Sequence, residues 1–97
     1  MTEHCNFKRF DKAPTAIAIY EIDWSEWLQT SETILTSTWT AQSGITVVDS
    51  SILSGSERVT VLLSGGTLNA SYELVNTITT SSGQTEPRTI IIDMVEK

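Results

Sequence analysis

The chain has 97 residues, enough for one domain with a single core, and 39% of its residues are hydrophobic while 19% are charged. Its formal net charge is −6, so it lacks the positive surface that a nucleic acid or an anionic membrane surface would require. Cys5 is the single cysteine, which excludes an internal disulfide and predicts folding in a reducing cytoplasm. No apolar run resembles a membrane span or a secretory signal, so we expect release by lysis or within an assembly.

The first fourteen residues show neither strand nor helix periodicity, and Pro14 ends them. This segment holds both phenylalanines and half of the cations of the chain. Aromatic and arginine side chains are enriched at the cores of protein interfaces. We therefore expect residues 1–14 to form an extended N-terminal arm and residues 15–97 to form the domain. The arm residues expected to bind a partner are Phe7, Lys8, Arg9 and Phe10.

The rest of the chain alternates apolar and polar residues in short runs separated by turn signals, as strands with one buried face do. The predicted strands are residues 17–23, 33–41, 45–48, 57–63, 70–80 and 88–95, with a loop or short edge segment in 49–56. Large apolar residues on both faces of the second run predict a bulge or a twist between Leu35 and Trp39. About seven short strands predict an all-β, antiparallel sandwich of immunoglobulin or fibronectin type III style. A small barrel is the structural alternative.

Four large aromatic residues are expected to have a structural role. Asp23 or Ser25 can cap a single helical turn that brings Trp24, Trp27 and Leu28 together at one end of the sandwich. Tyr72 follows the Gly65-Gly66 turn, where an immunoglobulin-like sandwich keeps a corner tyrosine, although an ordinary core aromatic fits the same position. The expected structural residues are Trp24, Trp27, Trp39 and Tyr72.

The residue types needed for catalysis or for a metal site are scarce. His4 is the single histidine, and its neighbour Cys5 is not placed by sequence to act with it as nucleophile and base. One cysteine and one histidine fall short of the four ligands of a zinc site. No loop spacing supports a calcium site at Asp23, Glu26 and Asp49. We expect no catalytic residues, no metal and no cofactor.

A group of acids and tryptophans permits a second interpretation. Glu21, Asp23 and Glu26 lie near Trp24 and Trp27, and carboxylates beside an aromatic platform are typical of carbohydrate-binding sites. In the plainer interpretation, the tryptophans close the core and the acids are their solvated flank. A carbohydrate-binding β-sandwich module that uses Trp24 and Trp27 is therefore the alternative function.

Several motifs together resemble one protein family. The run Lys12-Ala13-Pro14, followed by residues 20–28 with their Asp-Trp-Ser-Glu-Trp-Leu sequence, resembles the opening "K-D-P … Y-x-I-D-W-S-x-W-L" of phage fiber-tail adaptor proteins. Further matching segments are residues 45–47, 59–67, 78–81 and 88–90, together with Tyr72. The resemblance covers about residues 12–95. The chain departs from it at Ala13, where the family usually has an acid, and at Ile19, where it often has aspartate.

The resemblance implies a bacteriophage virion protein without enzymatic activity, which joins the tail or neck to fiber proteins through protein–protein contacts. Its partners would be other phage structural proteins of the tail, neck, baseplate or fiber, with several copies in a symmetric assembly. Nucleic acid and membrane are not among the expected partners. The expected location is the virion, after assembly in the host cytoplasm.

Overall fold

The computed structural model describes residues 8–96, and within this range the chain forms seven β-strands. Their bounds are β1 Lys8–Lys12, β2 Ala18–Asp23, β3 Ile34–Ala41, β4 Ile45–Ile52, β5 Arg58–Gly65, β6 Ser71–Thr80 and β7 Thr85–Met94. No helix within residues 8–96 is long and apolar enough to cross a membrane.

The strands form two sheets. The four-stranded sheet has the order β1-β7-β6-β3, and the three-stranded sheet has the order β2-β5-β4. All pairs are antiparallel except β1 and β7, which run parallel. The predicted all-β sandwich is confirmed, because the inward residues of both sheets share one apolar core. Its membership in the immunoglobulin or fibronectin type III group stays a prediction.

The second half of the predicted arm is a strand of the four-stranded sheet. The sequence pattern gave no strand there, yet residues 8–12 pair with residues 90–94 of β7. The side chain of Lys12 is buried, and its Nζ donates hydrogen bonds to the carbonyl oxygens of Gly65 at 2.8 Å and Ala13 at 3.0 Å. Burial lowers the pKa of Lys12. The end of β1 is thus held against the turn between β5 and β6.

The other strands agree with the sequence pattern in place and differ in length. The β4 strand continues to Ile52, through a register shift between Val47 and Asp49, into the segment interpreted as loop or edge. The register of β3 shifts between Ile34 and Thr36, at the start of the strand, and is regular from Thr36 to Ala41, so the predicted position between Leu35 and Trp39 was wrong. The last strand begins at Thr85 and includes Pro87, which is exposed and stands opposite Thr77.

A cluster of polar groups joins the loop before β3 to the turn between β6 and β7. The carboxylate of Glu32 is buried and accepts hydrogen bonds from the hydroxyls of Thr80 and Ser82, from the Gln84 amide at 2.9 Å and from the Gln29 backbone N–H at 2.9 Å. These donors lower the pKa of Glu32 from 4.5 to about 2. The cluster therefore holds the ionised carboxylate in the folded chain.

Glu32 gives the fold a defined dependence on acid. Because its pKa is lower in the folded than in the unfolded chain, its contribution is present above pH 4.5 and is lost as the pH falls toward about 2. Glu32→Gln should lower Tm at neutral pH and flatten the fall of Tm across that window, as measured by thermal denaturation at several pH values. Glu57→Gln, at an exposed acid, is the control and should keep the wild-type profile. An equal acid response in both variants would contradict this role.

Candidate binding site at the end of the sandwich

The segment after β2 forms one tight turn, which we call the tryptophan turn (Asp23–Leu28). The Asp23 carboxylate accepts a hydrogen bond from the backbone N–H of Ser25 at 2.8 Å, so Asp23 is the cap. The N–H groups of Trp27 and Leu28 both donate to the carbonyl of Trp24, at 2.9 and 3.0 Å. Hydrogen bonds to Ser25 lower the pKa of Asp23, so this carboxylate stays ionised.

Trp24 occupies the interior between the two sheets. It is fully buried, and its indole N–H donates to the side-chain carbonyl oxygen of Asn76 on β6 at 3.0 Å. The amide nitrogen of Asn76 in turn donates to the Ser37 hydroxyl at 2.8 Å and to the Thr38 carbonyl at 3.1 Å on β3. Each polar atom of the buried Asn76 amide therefore has a partner, as burial requires.

Arg88 and Trp27 cover the outer side of Trp24. The guanidinium carbon of Arg88 lies 4.0 Å from the centroid of the Trp24 ring, and the Trp27 ring meets Trp24 edge to face with centroids 5.3 Å apart. Burial lowers the pKa of Arg88, although guanidinium groups remain charged in proteins. The cation is thus held at the end of the sandwich by an aromatic face.

The surface around this cation forms a pocket of about 310 Å³, which we call the end pocket. It is lined by Lys8, Asp23, Ser25, Glu26, Trp27 and Arg88. Two cations, two carboxylates, a hydroxyl and an aromatic ring thus surround one cavity. This chemistry suits a polar ligand that stacks on Trp27 and exchanges hydrogen bonds with charged groups.

The predicted arm residues lie in different places. Lys8 is exposed and lines the end pocket, whereas Phe10 is half-buried and packs on Tyr20 with ring centroids 5.3 Å apart. Arg9 donates two hydrogen bonds to the Asp93 carboxylate, at 3.0 and 2.7 Å, which lowers the pKa of Asp93. Phe7 lies outside the described residues. Of the described arm residues, Lys8 alone lies in the end pocket.

The two remaining predicted structural residues lie in other parts of the core. Trp39 is half-buried on β3, packs against the core, and its indole N–H has no hydrogen-bond partner within residues 8–96. The hydroxyl of Tyr72 accepts a hydrogen bond from the backbone N–H of Thr67 at 3.0 Å, which ties the turn before β6 to the strand. A Cβ at Gly44 would lie 2.8 Å from the Tyr72 ring, so the ring also packs directly on the turn between β3 and β4.

Sequence reasoning missed Arg88 and Asn76. Both stand in runs of inward-facing apolar residues, with Arg88 preceding Ile90 and Ile92 and Asn76 between Leu74 and Ile78. A polar residue at an inward position of a strand predicts a specific buried partner. That interruption of the alternation was the available signal, but it did not identify Trp24 as the partner.

No group of three histidine, cysteine or acidic residues within 8–96 is arranged to hold a metal ion. His4 and Cys5 lie outside the described residues.

Comparison with known proteins identifies one family. The family model described as podophage GP4 fiber-tail adaptor protein gp77 matches residues 12–93. A search of curated proteins found no match. The matched range contains the tryptophan turn, Asn76 and Arg88, and so includes every residue that contacts Trp24 in the geometry above.

The hydrogen bond between Trp24 and Asn76 should appear as a coupling between the two side chains. Asn76→Leu leaves a buried indole N–H without an acceptor, so we expect it to lower the free energy of unfolding by about 1–3 kcal/mol. In a Trp24→Phe background the indole N–H is absent, so Asn76→Leu should lower the free energy of unfolding by a smaller amount. Urea denaturation of the wild type, both single variants and the double variant measures the difference. Purely additive effects would contradict the coupling.

Proposed function

The chain belongs to the fiber-tail adaptor family of podophage proteins, and from this premise we propose that it is a non-enzymatic virion protein that joins the tail or neck to fiber proteins. Its contacts would be with other phage structural proteins, in several copies and without nucleic acid or membrane. It would reach the virion after assembly in the host cytoplasm. The observation that carries the proposal is the family match over residues 12–93.

The fold agrees with a connecting role. One small sandwich presents two outer sheet faces and several loops, and its interior polar groups are used to hold strands and turns together. The residues that line the end pocket include no histidine or cysteine, the side chains most often used as catalytic base and thiol nucleophile. A rigid body with accessible faces is what an adaptor between larger proteins requires.

The arm is part of this proposal. Residues 1–14 would bind a neighbouring subunit. Within the part of the arm that the structure describes, Lys8 and Arg9 are exposed cations, on a chain whose net charge is −6. Because Lys8–Lys12 is a strand of the sheet and Phe10 packs inward, a deletion that leaves β1 intact must end at residue 7. A deletion that also removed β1 would test folding as well as binding.

Immunogold electron microscopy of intact particles tests the adaptor role directly. We expect label at the tail, neck or baseplate of phage from a producing host, because an adaptor remains in the particle. Particles without label, with the protein free in the lysate, would overturn the proposal. A chain lacking residues 1–7 should keep the wild-type Tm and lose incorporation into particles. Normal incorporation of that variant would remove residues 1–7 from the proposed contact and leave the adaptor role standing.

The end pocket favours carbohydrate binding as a second candidate. Trp27 is half-buried and lines the end pocket beside Asp23 and Glu26, two of the acids that the sequence pattern associates with a sugar site. Trp24, the other residue of that interpretation, is fully buried beneath Arg88 and contacts no solvent. A sugar would therefore stack on Trp27 and hydrogen-bond to the charged groups around it.

A titration separates this candidate from the adaptor. If the end pocket binds sugar, bacterial surface oligosaccharides should produce a saturable change in tryptophan fluorescence that Trp27→Ala abolishes while the fold is retained. Trp39→Phe, which changes a tryptophan away from the end pocket, is the control and should keep the change. Wild-type tryptophan fluorescence that does not change with any oligosaccharide of the panel would exclude carbohydrate binding at the end pocket.

A further inference from the structure

The outer face of the three-stranded sheet exposes large aliphatic side chains. Ile17 and Ile19 are each 66% exposed and Val48 is 51% exposed, which is far more than the neighbouring core residues. Ile19 lies on β2 and Val48 lies on β4. Ile17 immediately precedes the first residue of β2. Large aliphatic side chains are more stable buried than in water, so a group of them on one surface indicates an interaction site.

The strand register makes these residues neighbours. Ile19 stands opposite Leu62 on β5, and Leu62 stands opposite Asp49 on β4. The register shift between Val47 and Asp49 inserts Val48 at this point, so two residues of β4 oppose the single Leu62. The result is a continuous aliphatic row across all three strands. We call Ile17, Ile19, Val48 and Leu62 the aliphatic face.

The charges beside the aliphatic face are mostly negative. Glu21 and Asp23 follow Ile19 at every second position of β2, and Asp49 stands beside Val48. The cation of the neighbouring β5, Arg58, already pairs with Glu21 at 3.3 Å. Three carboxylates and one guanidinium give this side a net charge of −2. A surface that covers it must therefore be apolar at its centre and positive at its border.

The outer face of the four-stranded sheet is built differently. Its positions on β3 are Thr36, Thr38 and Thr40, all exposed. Ile91 stands between Arg9 and Glu73 in the register and is only 7% exposed, whereas Leu35, at the register shift that begins β3, is 61% exposed. Among the described strands, the four-stranded sheet thus exposes a single large aliphatic side chain at one strand end, whereas the three-stranded sheet exposes several that are neighbours in the register. This contrast singles out the three-stranded sheet.

We propose that the aliphatic face, with Glu21, Asp23 and Asp49 along it, is the surface on which a virion protein docks. The partner surface is an apolar patch bordered by lysine and arginine on a tail or fiber protein. A second copy of the chain suits the face poorly, because it would place three carboxylates against three carboxylates. The inference rests on the proposed adaptor role and specifies the side of the domain that carries it out.

Particles produced with variant protein test the face. Ile19→Thr/Val48→Thr keeps β-branched residues on both strands, so we expect a Tm close to the wild type. Its incorporation per particle, measured by immunogold counting, should fall by about tenfold because the aliphatic contacts are lost. Leu35→Thr is the matched control: Leu35 is 61% exposed on β3 of the other sheet and should change incorporation little.

A charge variant keeps the test independent of aliphatic packing. Asp49→Lys places a cation beside Val48, which should repel a positively charged border of the partner, so incorporation should again fall. Incorporation of Asp49→Asn, which only removes the negative charge, should fall less. Normal incorporation of the double variant and of Asp49→Lys would overturn this inference while labelled wild-type particles keep the adaptor role.

Two other results would also overturn the inference. Wild-type protein absent from particles would overturn the adaptor role and this inference with it. A wild-type dimer in sedimentation analysis that Ile19→Thr/Val48→Thr abolishes would show that a second copy covers the face.

Discussion

The burial of Trp24 is the constraint on which the rest of the structure depends. This side chain follows the last residue of β2 and is fully enclosed between the sheets, so its indole N–H must find a partner inside the protein. Asn76 provides it from β6, and the same amide reaches Ser37 and Thr38 on β3. One hydrogen-bonded chain therefore connects the three-stranded sheet to two strands of the other. Arg88 then covers the outer side of the ring, and this position brings the guanidinium charge to the end pocket.

Buried polar groups hold other parts of the sandwich in the same manner. Lys12 attaches the end of β1 to the carbonyl of Gly65, and Glu32 gathers donors from the turn between β6 and β7. In each case a long polar side chain connects segments that are distant in the sequence and close in the fold. A domain of this size without a disulfide gains its specificity from such satisfied groups as well as from its aliphatic core.

These interior contacts leave the surface divided into regions of different chemistry. The end pocket combines cations, carboxylates and an aromatic ring, the four-stranded sheet presents threonines, and the three-stranded sheet presents the aliphatic face with acids beside it. For a member of an adaptor family, distinct regions allow different neighbours to be recognised by one small body. The position of β1 matters here, because it places Lys8 at the end pocket.

The sequence by itself determined the all-β class, the approximate position of six strands, the tryptophan turn and the family, because period-two patterns and local motifs depend on residues close together in the chain. Only the tertiary structure decided that Lys8–Lys12 is a strand, since its pairing partner lies about eighty residues away on β7 and its own pattern carries no alternation. It also decided the partners of Trp24, Lys12 and Glu32, and which outer sheet face stays apolar. Those outcomes depend on strand order and register, which bring together residues whose separation in the sequence gives no sign of contact.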